Sequence, residues 1–262
     1  VLTGVDHLVV VVRDLERAAD NYRALGFTVV PGGRHPVGTH NALIAFGDES
    51  YLELIAFWQP NPAHRWWKPL QQGGGLVDFC LATDDLRADL EAFRAAGVPL
   101  DDPAPLSRVR PDGFELRWVL AIPREGFRGV APFLIADTTP RTERVPRAQR
   151  HANGVTGLAT LTVAVDDPAR VAGWYGAVLG CPPRAAVRED LDAAGLAVSV
   201  GPHTLAFLSP RSAASPLAAW LAARGPGPWE ATFKSPRAPH GPLDPARTEG
   251  ARLALAEEER VP

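Results

Sequence analysis

Three stretches of the chain carry the same hydrophobic rhythm. Residues 4–15, GVDHLVVVVRDL, run as β-branched positions that give way to polar ones. Leu15, Ala18, Ala19, Tyr22 and Leu25 then fall on one face of a 3.6-residue period, which predicts a helix. Asp14 stands where an N-cap would accept the free N–H groups of that helix, and Gly26 ends it. Residues 75–86, GLVDFCLATDDL, repeat the pattern, with Leu86, Leu90 and Phe93 on the helix face and Gly97 behind them. Residues 157–168, GLATLTVAVDDP, repeat it again, with Pro168 at a first helical position and Gly180 past the end. Short alternating strands follow each helix. They are Phe27–Val30, Thr39–Phe46 and Ser50–Phe57 in the first unit, and Ser107–Arg110, Phe114–Ile122 and Ala131–Ala136 in the second. In the third they are Ala197–Val200 and Thr204–Ser209. Each unit reads βαβββ. A remnant of a fourth, Trp229–Lys234 and Ala251–Ala256, leaves no room for a helix between its strands.

The repeat predicts an α+β fold in which βαβββ modules form curved, barrel-like mixed sheets with helices on the outside. Two modules occupy residues 1–140, 141–154 is a linker, and 155–262 is a degenerate domain of one module plus the remnant. Composition narrows the function. At 46% hydrophobic and 22% charged, with a net charge of -3, the chain can bury a core and shows no basic footprint for nucleic acid. No apolar run approaches the roughly 18 residues of a membrane span, and no signal-peptide pattern opens the chain. The two cysteines, Cys80 and Cys181, fit a reduced compartment. The expectation is a cytoplasmic protein whose partner is a small molecule rather than nucleic acid or a membrane, with a homodimer left open.

Chemistry concentrates at a few positions. On an alternating strand His7 shares its face with Val5, Val9 and Val11, and Glu53 shares its face with Tyr51 and Ile55. A polar group on an apolar face is costly unless hydrogen-bonded or metal-bound, so both are candidate site residues. His40 on the next strand is a candidate base near neutral pH. Arg108 and Arg110 share one strand face, and Trp118 lies on the returning strand. Together they would line a pocket for a carboxylate or phosphate. His64, His151, His203 and His240 stand beside Pro, Arg or Gly and read as surface residues.

The first unit, opened by Gly4-Val5-Asp6-His7-Leu8 and closed by Tyr51-Leu52-Glu53-Leu54-Ile55, resembles the vicinal oxygen chelate superfamily, in particular its glyoxalase-like domain proteins. The loop Gly32-Gly33-Arg34-His35-Pro36 and the segment Gly38-Thr39-His40-Asn41 add to the likeness. The resemblance implies a metal site with one ligand from the first and one from the last strand of each paired module. His7 and Glu53 fill the slots of unit one, and the same offset from the helix start gives Asp78 in unit two and Thr160 in unit three. The last-strand equivalents of Glu53 are Leu134 and Ala206, which are not ligands. The implied cofactor is a divalent ion, Fe, Mn, Ni, Zn or Mg. The implied activity is that of a lyase or dioxygenase on a small oxygenated molecule, with Glu53 or His40 moving protons. Its alternative is a metal-free protein that sequesters a small molecule, as drug-resistance members do, with His7 and Glu53 hydrogen-bonded directly. A third reading is a purely structural duplication.

Overall fold

The computed structural model describes residues 1–237 and 239–257. The expected second domain therefore ends, at 258–262, outside the described residues. Eight strands close into a barrel in the order β1-β4-β3-β2-β6-β7-β8-β5. They are β1 (Leu2–Val11), β2 (Val30–Arg34), β3 (Thr39–Ala45), β4 (Tyr51–Phe57), β5 (Gly75–Thr83), β6 (Ala104–Val109), β7 (Glu115–Ala121) and β8 (Phe133–Asp137). Helices α1 (Leu15–Ala24) and α3 (Leu86–Ala95) link β1 to β2 and β5 to β6. Each is capped by an aspartate, Asp14 and Asp85, that accepts from the N–H three residues on. The short α2 (Trp67–Gln71) lies in the segment after β4, and α4 (Arg141–Arg144) follows β8.

The barrel joins its halves at two seams of unequal strength. β1 and β5 pair along their whole length, whereas β2 and β6 meet at a single pair, Arg34 with Val109. Two glycines make that second seam. A Cβ on Gly33, at φ 150°, would stand 2.1 Å from the Val109 carbonyl oxygen. One on Gly32 would stand 2.0 Å from Asn41 Oδ1, so the bare backbone there makes room for a side chain inside the barrel.

The second half forms an open sheet ordered β10-β11-β12-β9-β13-β15-β14. Its strands are β9 (Gly157–Ala164), β10 (Arg184–Arg188), β11 (Ala193–Val200), β12 (His203–Pro210), β13 (Gly227–Ser235), β14 (Gly241–Pro242) and β15 (Leu253–Glu257). The order repeats that of the barrel with the β6 equivalent missing. Helix α5 (Pro168–Leu179) is the third repeat helix, with Pro168 in its first turn and Gly180 left-handed behind it. The alternation of the sequence does not show α6 (Pro216–Arg224), an alanine-rich helix capped by Ser215. Its Leu217 packs with Ala206, Leu208 and Trp229 on the free face of this sheet.

One continuous core joins the two halves. Leu8, Val10, Phe79 and Leu81 face out of the barrel onto Leu161, Val163, Ala231 and Phe233. Burial of a side chain of this size stabilises by roughly 1.5–3 kcal/mol. Two histidines expected at the surface are buried in this joint. His203 Nδ1 accepts from the Val5 N–H at 2.9 Å and its Nε2 meets Asp48 at 3.0 Å. His151 Nδ1 accepts from the Thr28 N–H at 3.0 Å and its Nε2 meets the Ala45 carbonyl at 3.1 Å. Flanking residues mislead here because both rings satisfy backbone groups between the halves, not at a turn tip. Among the described residues no helix is long and apolar enough to cross a membrane.

Candidate active site in the barrel

The barrel encloses a cavity of about 290 Å3 whose wall includes His7, Glu53, Asn41, Arg108, Trp118 and Phe133. Strand parity delivers them, after one correction. A register shift between Val5 and His7 puts Val5 in the outer core, while His7, Val9 and Val11 face inward. The same bulge turns Asp6 into the interior beside its neighbour. Asp6 Oδ1 lies 2.7 Å from His7 Nδ1. A carboxylate can only accept, so Nδ1 carries a proton, and the tautomer this selects has its Nε2 lone pair toward the cavity. His7 stacks on Tyr51 at 4.6 Å and meets the edge of Phe133 at 5.2 Å, which fixes its plane.

Glu53 projects inward from β4 between Tyr51 and Ile55. One carboxylate oxygen accepts from Asn41 Nδ2 at 2.5 Å, and the other stands 3.7 Å from His7 Nε2. That gap is wider than a hydrogen bond. The two groups converge on the cavity without bonding each other.

Basic groups surround this pair. Arg108, only 2% exposed, donates to the Arg144 carbonyl at 2.7 Å and reaches Asn41 Oδ1 at 3.4 Å. Its Nε is buried with no partner. Arg144 closes one end of the barrel with two contacts to Asp6, both 3.1 Å, two to Asp137 at 2.5 and 2.9 Å, and one to the Tyr51 hydroxyl at 2.8 Å. Burial acts to raise the Asp6 carboxyl, but Arg144 and His7 outweigh it and hold the group well below the usual carboxylate range. Arg65 lies over Trp66 and Phe133, its Nε on Asp78 at 3.2 Å and its Nη2 buried without a partner.

Several residues stand elsewhere than the sequence suggests. His40 faces outward, because Thr39, Asn41 and Leu43 are the inward set on β3, and it lines an outer groove with Arg34. Arg110 lies beyond the last ladder pair of β6, where it binds Asp112 at 2.6 Å and Glu143 at 2.7 Å instead of lining the cavity. Asp78 is inside, but Arg65, the Trp66 indole N–H at 2.9 Å and the Phe79 N–H at 3.0 Å take its carboxylate. Leu134 faces out, and β8 presents Phe133 and Ile135 inward. Sequence reasoning missed His35, Asn41, His64, Arg65 and Arg144 as wall residues. Asn41 was legible as a neighbour of Glu53 across the β3–β4 hairpin, while Arg144 sits in the expected linker and carried no periodic signal.

His35 gives the cavity a pH signature. Burial, against a partial pull from Glu53, lowers its imidazole from 6.5 to about 4, and Thr39 Oγ1 lies 2.9 Å from Nδ1. Because the folded value is the lower one, the unfolded chain takes up the proton first as pH falls. Stability from this group is present above pH 6.5 and is lost between 6.5 and about 4, roughly 3 kcal/mol in all. Urea unfolding midpoints compared at pH 7 and 4.5 should show a smaller acid loss in His35→Asn than in the wild type. Equal losses would place the acid sensitivity elsewhere.

The donor set tests the implied metal. Ligands about 2.1 Å from one ion lie at most about 4.2 Å apart, so the 3.7 Å between His7 and Glu53 suits a shared ion. Asp6 behind His7 and Asn41 behind Glu53 are the outer partners such ligands usually have. The third ligand is missing: Asp78 is tied to three donors, and Phe133 and Ile135 are apolar. Asp6, His7 and Cys80 also bring ligand atoms within 4.8 Å of one another. There the Arg144 guanidinium occupies both Asp6 oxygens, and burial pushes the Cys80 thiol well up, away from thiolate. The described residues supply two ligands, one short of the usual catalytic three.

Paired βαβββ modules closed around an inward His–Glu pair define a barrel of the vicinal oxygen chelate class. The sequence profile of the glyoxalase-like domain family matches residues 5–179, and the chain belongs to that family. No curated protein matches the chain. Among solved structures, a hypothetical protein from Staphylococcus aureus is 14% identical with a TM-score of 0.70, covering 97% of this chain and 99% of that one. A mutant of 4-hydroxymandelate synthase from Streptomyces coelicolor is 18% identical with a TM-score of 0.58, covering 89% and 71%. A xylose isomerase-like TIM barrel/4-hydroxyphenylpyruvate dioxygenase fusion protein is 17% identical with a TM-score of 0.53, covering 89% of this chain and 36% of that one. At these identities the likeness is one of fold.

Proposed function

We propose that the chain is an enzyme whose barrel cavity binds a small oxygen-bearing organic anion and moves a proton on it. The observation that carries this is the pair of buried guanidinium groups, Arg108 and Arg65, each holding an N–H without a partner at the cavity wall. A buried donor left unpaired costs about 1–3 kcal/mol, and a carboxylate or enolate oxygen would relieve it. His7, oriented by Asp6, presents its Nε2 lone pair to a bound molecule as a general base. Glu53, held by Asn41, stands beside it to relay the proton or balance the imidazolium. Trp118 supports an apolar flank of the ligand.

Small 2-hydroxy and 2-oxo acids, titrated against tryptophan fluorescence, provide the test, since Trp66 and Trp118 line the cavity. Arg108→Ala should weaken the binding of whichever acid responds by about 1.5–3 kcal/mol, roughly ten- to a hundredfold. Unchanged affinity in a folded variant, or no response from any acid, would remove the anion from the reading.

A metal-dependent version of the same enzyme stands second. The outer partners of His7 and Glu53 favour it; the missing third ligand counts against it. Elemental analysis before and after chelation separates the two. Metal-free sequestration, the remaining alternative, requires tight binding with no proton exchange on the ligand.

A further inference from the structure

A groove of about 670 Å3 lies against the cavity. It runs between the 62–72 segment, the 125–129 loop and residues 220–228, where α6 passes into β13. Cavity and groove share Arg65 and Arg128 in their walls. We propose that this groove is a second anion subsite, so that the ligand is an elongated molecule with two anionic groups. One end sits inside the barrel at Arg108, and the other, a carboxylate or phosphate, lies in the groove among Arg65, Arg128 and Lys68. The inference rests on the cavity reading above.

Three observations carry it. The Arg65 side chain is 9% exposed and stands at the boundary between the two spaces. Asp78 satisfies only its Nε, and Nη2 has no partner. This buried donor belongs to the wall that the two spaces share. Second, the groove is unbalanced in charge. Apart from the Arg65–Asp78 pair, its wall brings Lys68, Arg128 and Arg224 against Glu125 alone. Third, the far wall is fixed in place by the second half of the chain. Arg224 donates to the Gly74 carbonyl at 2.8 Å and lies 4.4 Å from the Trp220 ring, whose buried N–H also lacks a partner. The open sheet thus contributes a polar wall to a site whose other wall belongs to the barrel. A long ligand would find Arg65 and Arg128 in the shared wall and Lys68 beyond it, whereas a short one leaves the groove cations in water.

The test uses the full chain and three probe series: straight-chain monocarboxylates, α,ω-dicarboxylates and ω-phosphonocarboxylates of increasing length. Above a threshold length, one or both of the two-anion series should bind about tenfold tighter than monocarboxylates of the same length. The better series identifies carboxylate or phosphate as the second group. Lys68→Glu should abolish that advantage and leave monocarboxylate affinity alone, since Lys68 lines only the groove. Arg108→Ala, or Arg108→Gln where the alanine variant unfolds, should weaken every series. An advantage that never develops with length, or that survives Lys68→Glu, overturns the subsite while leaving the cavity reading intact. Insensitivity of every series to Arg108 replacement would instead sink the cavity reading, and the subsite built on it.

Discussion

Replacing Arg144 by Met should cost the fold about 3–5 kcal/mol at neutral pH, a range set by buried ion pairs that lose one partner. The side chain is 3% exposed and spreads its donors over Asp6, Asp137 and Tyr51. Its backbone carbonyl also receives the Arg108 guanidinium. Without it, Asp6 keeps only His7 and the half-buried Arg141, at 3.1 Å, as partners. The sign of the pH effect follows. In the wild type Asp6 stays ionised far into acid; in the variant only His7 and Arg141 oppose burial, so the carboxyl takes up its proton at a higher pH than in the wild type. Lowering the pH should then narrow the gap between the two proteins, and Asp6→Asn added to Arg144→Met should recover part of the loss. Urea unfolding across pH 5–8 measures both. A loss under about 1 kcal/mol, or a gap that widens in acid, would mean that water reaches this end of the barrel.

The modules were legible because their strands and helices bury apolar residues at fixed periods. The 71-residue shift from His7 to Asp78 is visible in the letters alone, and the helices α1, α3 and α5 carry their caps in the sequence. Less could be read of the site, for reasons that differ by residue. Alternation says that Thr39 and Asn41 share a face and that His40 opposes them, but not which face is inside. Only the pairing of Asn41 with Ile55 and of Leu43 with Glu53 across the hairpin settles that. Arg110 continues the parity of Arg108, yet parity means nothing once the ladder ends at Val109 and the chain turns at Pro111.

Long-range ion pairs were harder still. Arg144 reaches Asp6 across 138 residues, and Arg65 reaches Asp78 from a segment without period. A buried guanidinium leaves no hydrophobic trace, so both read as loop residues. Asp78 shows the consequence. The offset from the helix start singles out this position, but its carboxylate is spent on Arg65 and Trp66, which the repeat could not anticipate. Burial raises the Asp78 carboxyl and lowers the Arg65 guanidinium, so the pair is only partly compensated by its own contacts.

Proton transfer on a bound anion should depend on His7 more than on any other residue of the cavity. Hydrogen–deuterium exchange at the carbon beside the carboxylate, followed by NMR in heavy water, reads the step without knowledge of the final product. His7→Gln should slow that exchange about 10²–10⁴-fold, the usual contribution of a positioned base. The apparent affinity should change little, because Arg108 and Arg65 are untouched. Asp6→Asn should slow exchange by acting through His7: an amide can offer its N–H to Nδ1, which turns the imidazole proton toward the cavity and removes the lone pair there. Glu53→Gln separates two roles for the carboxylate. If Glu53 relays the proton, exchange falls as far as in His7→Gln; if it only balances the imidazolium formed in the transfer, the loss is smaller. Wild-type protein that binds the anion tightly, shows no exchange and loses nothing in His7→Gln would be a binder with a structural histidine. The convergence of His7 and Glu53 at 3.7 Å, each held from behind by its own partner, would then serve only the packing of the barrel.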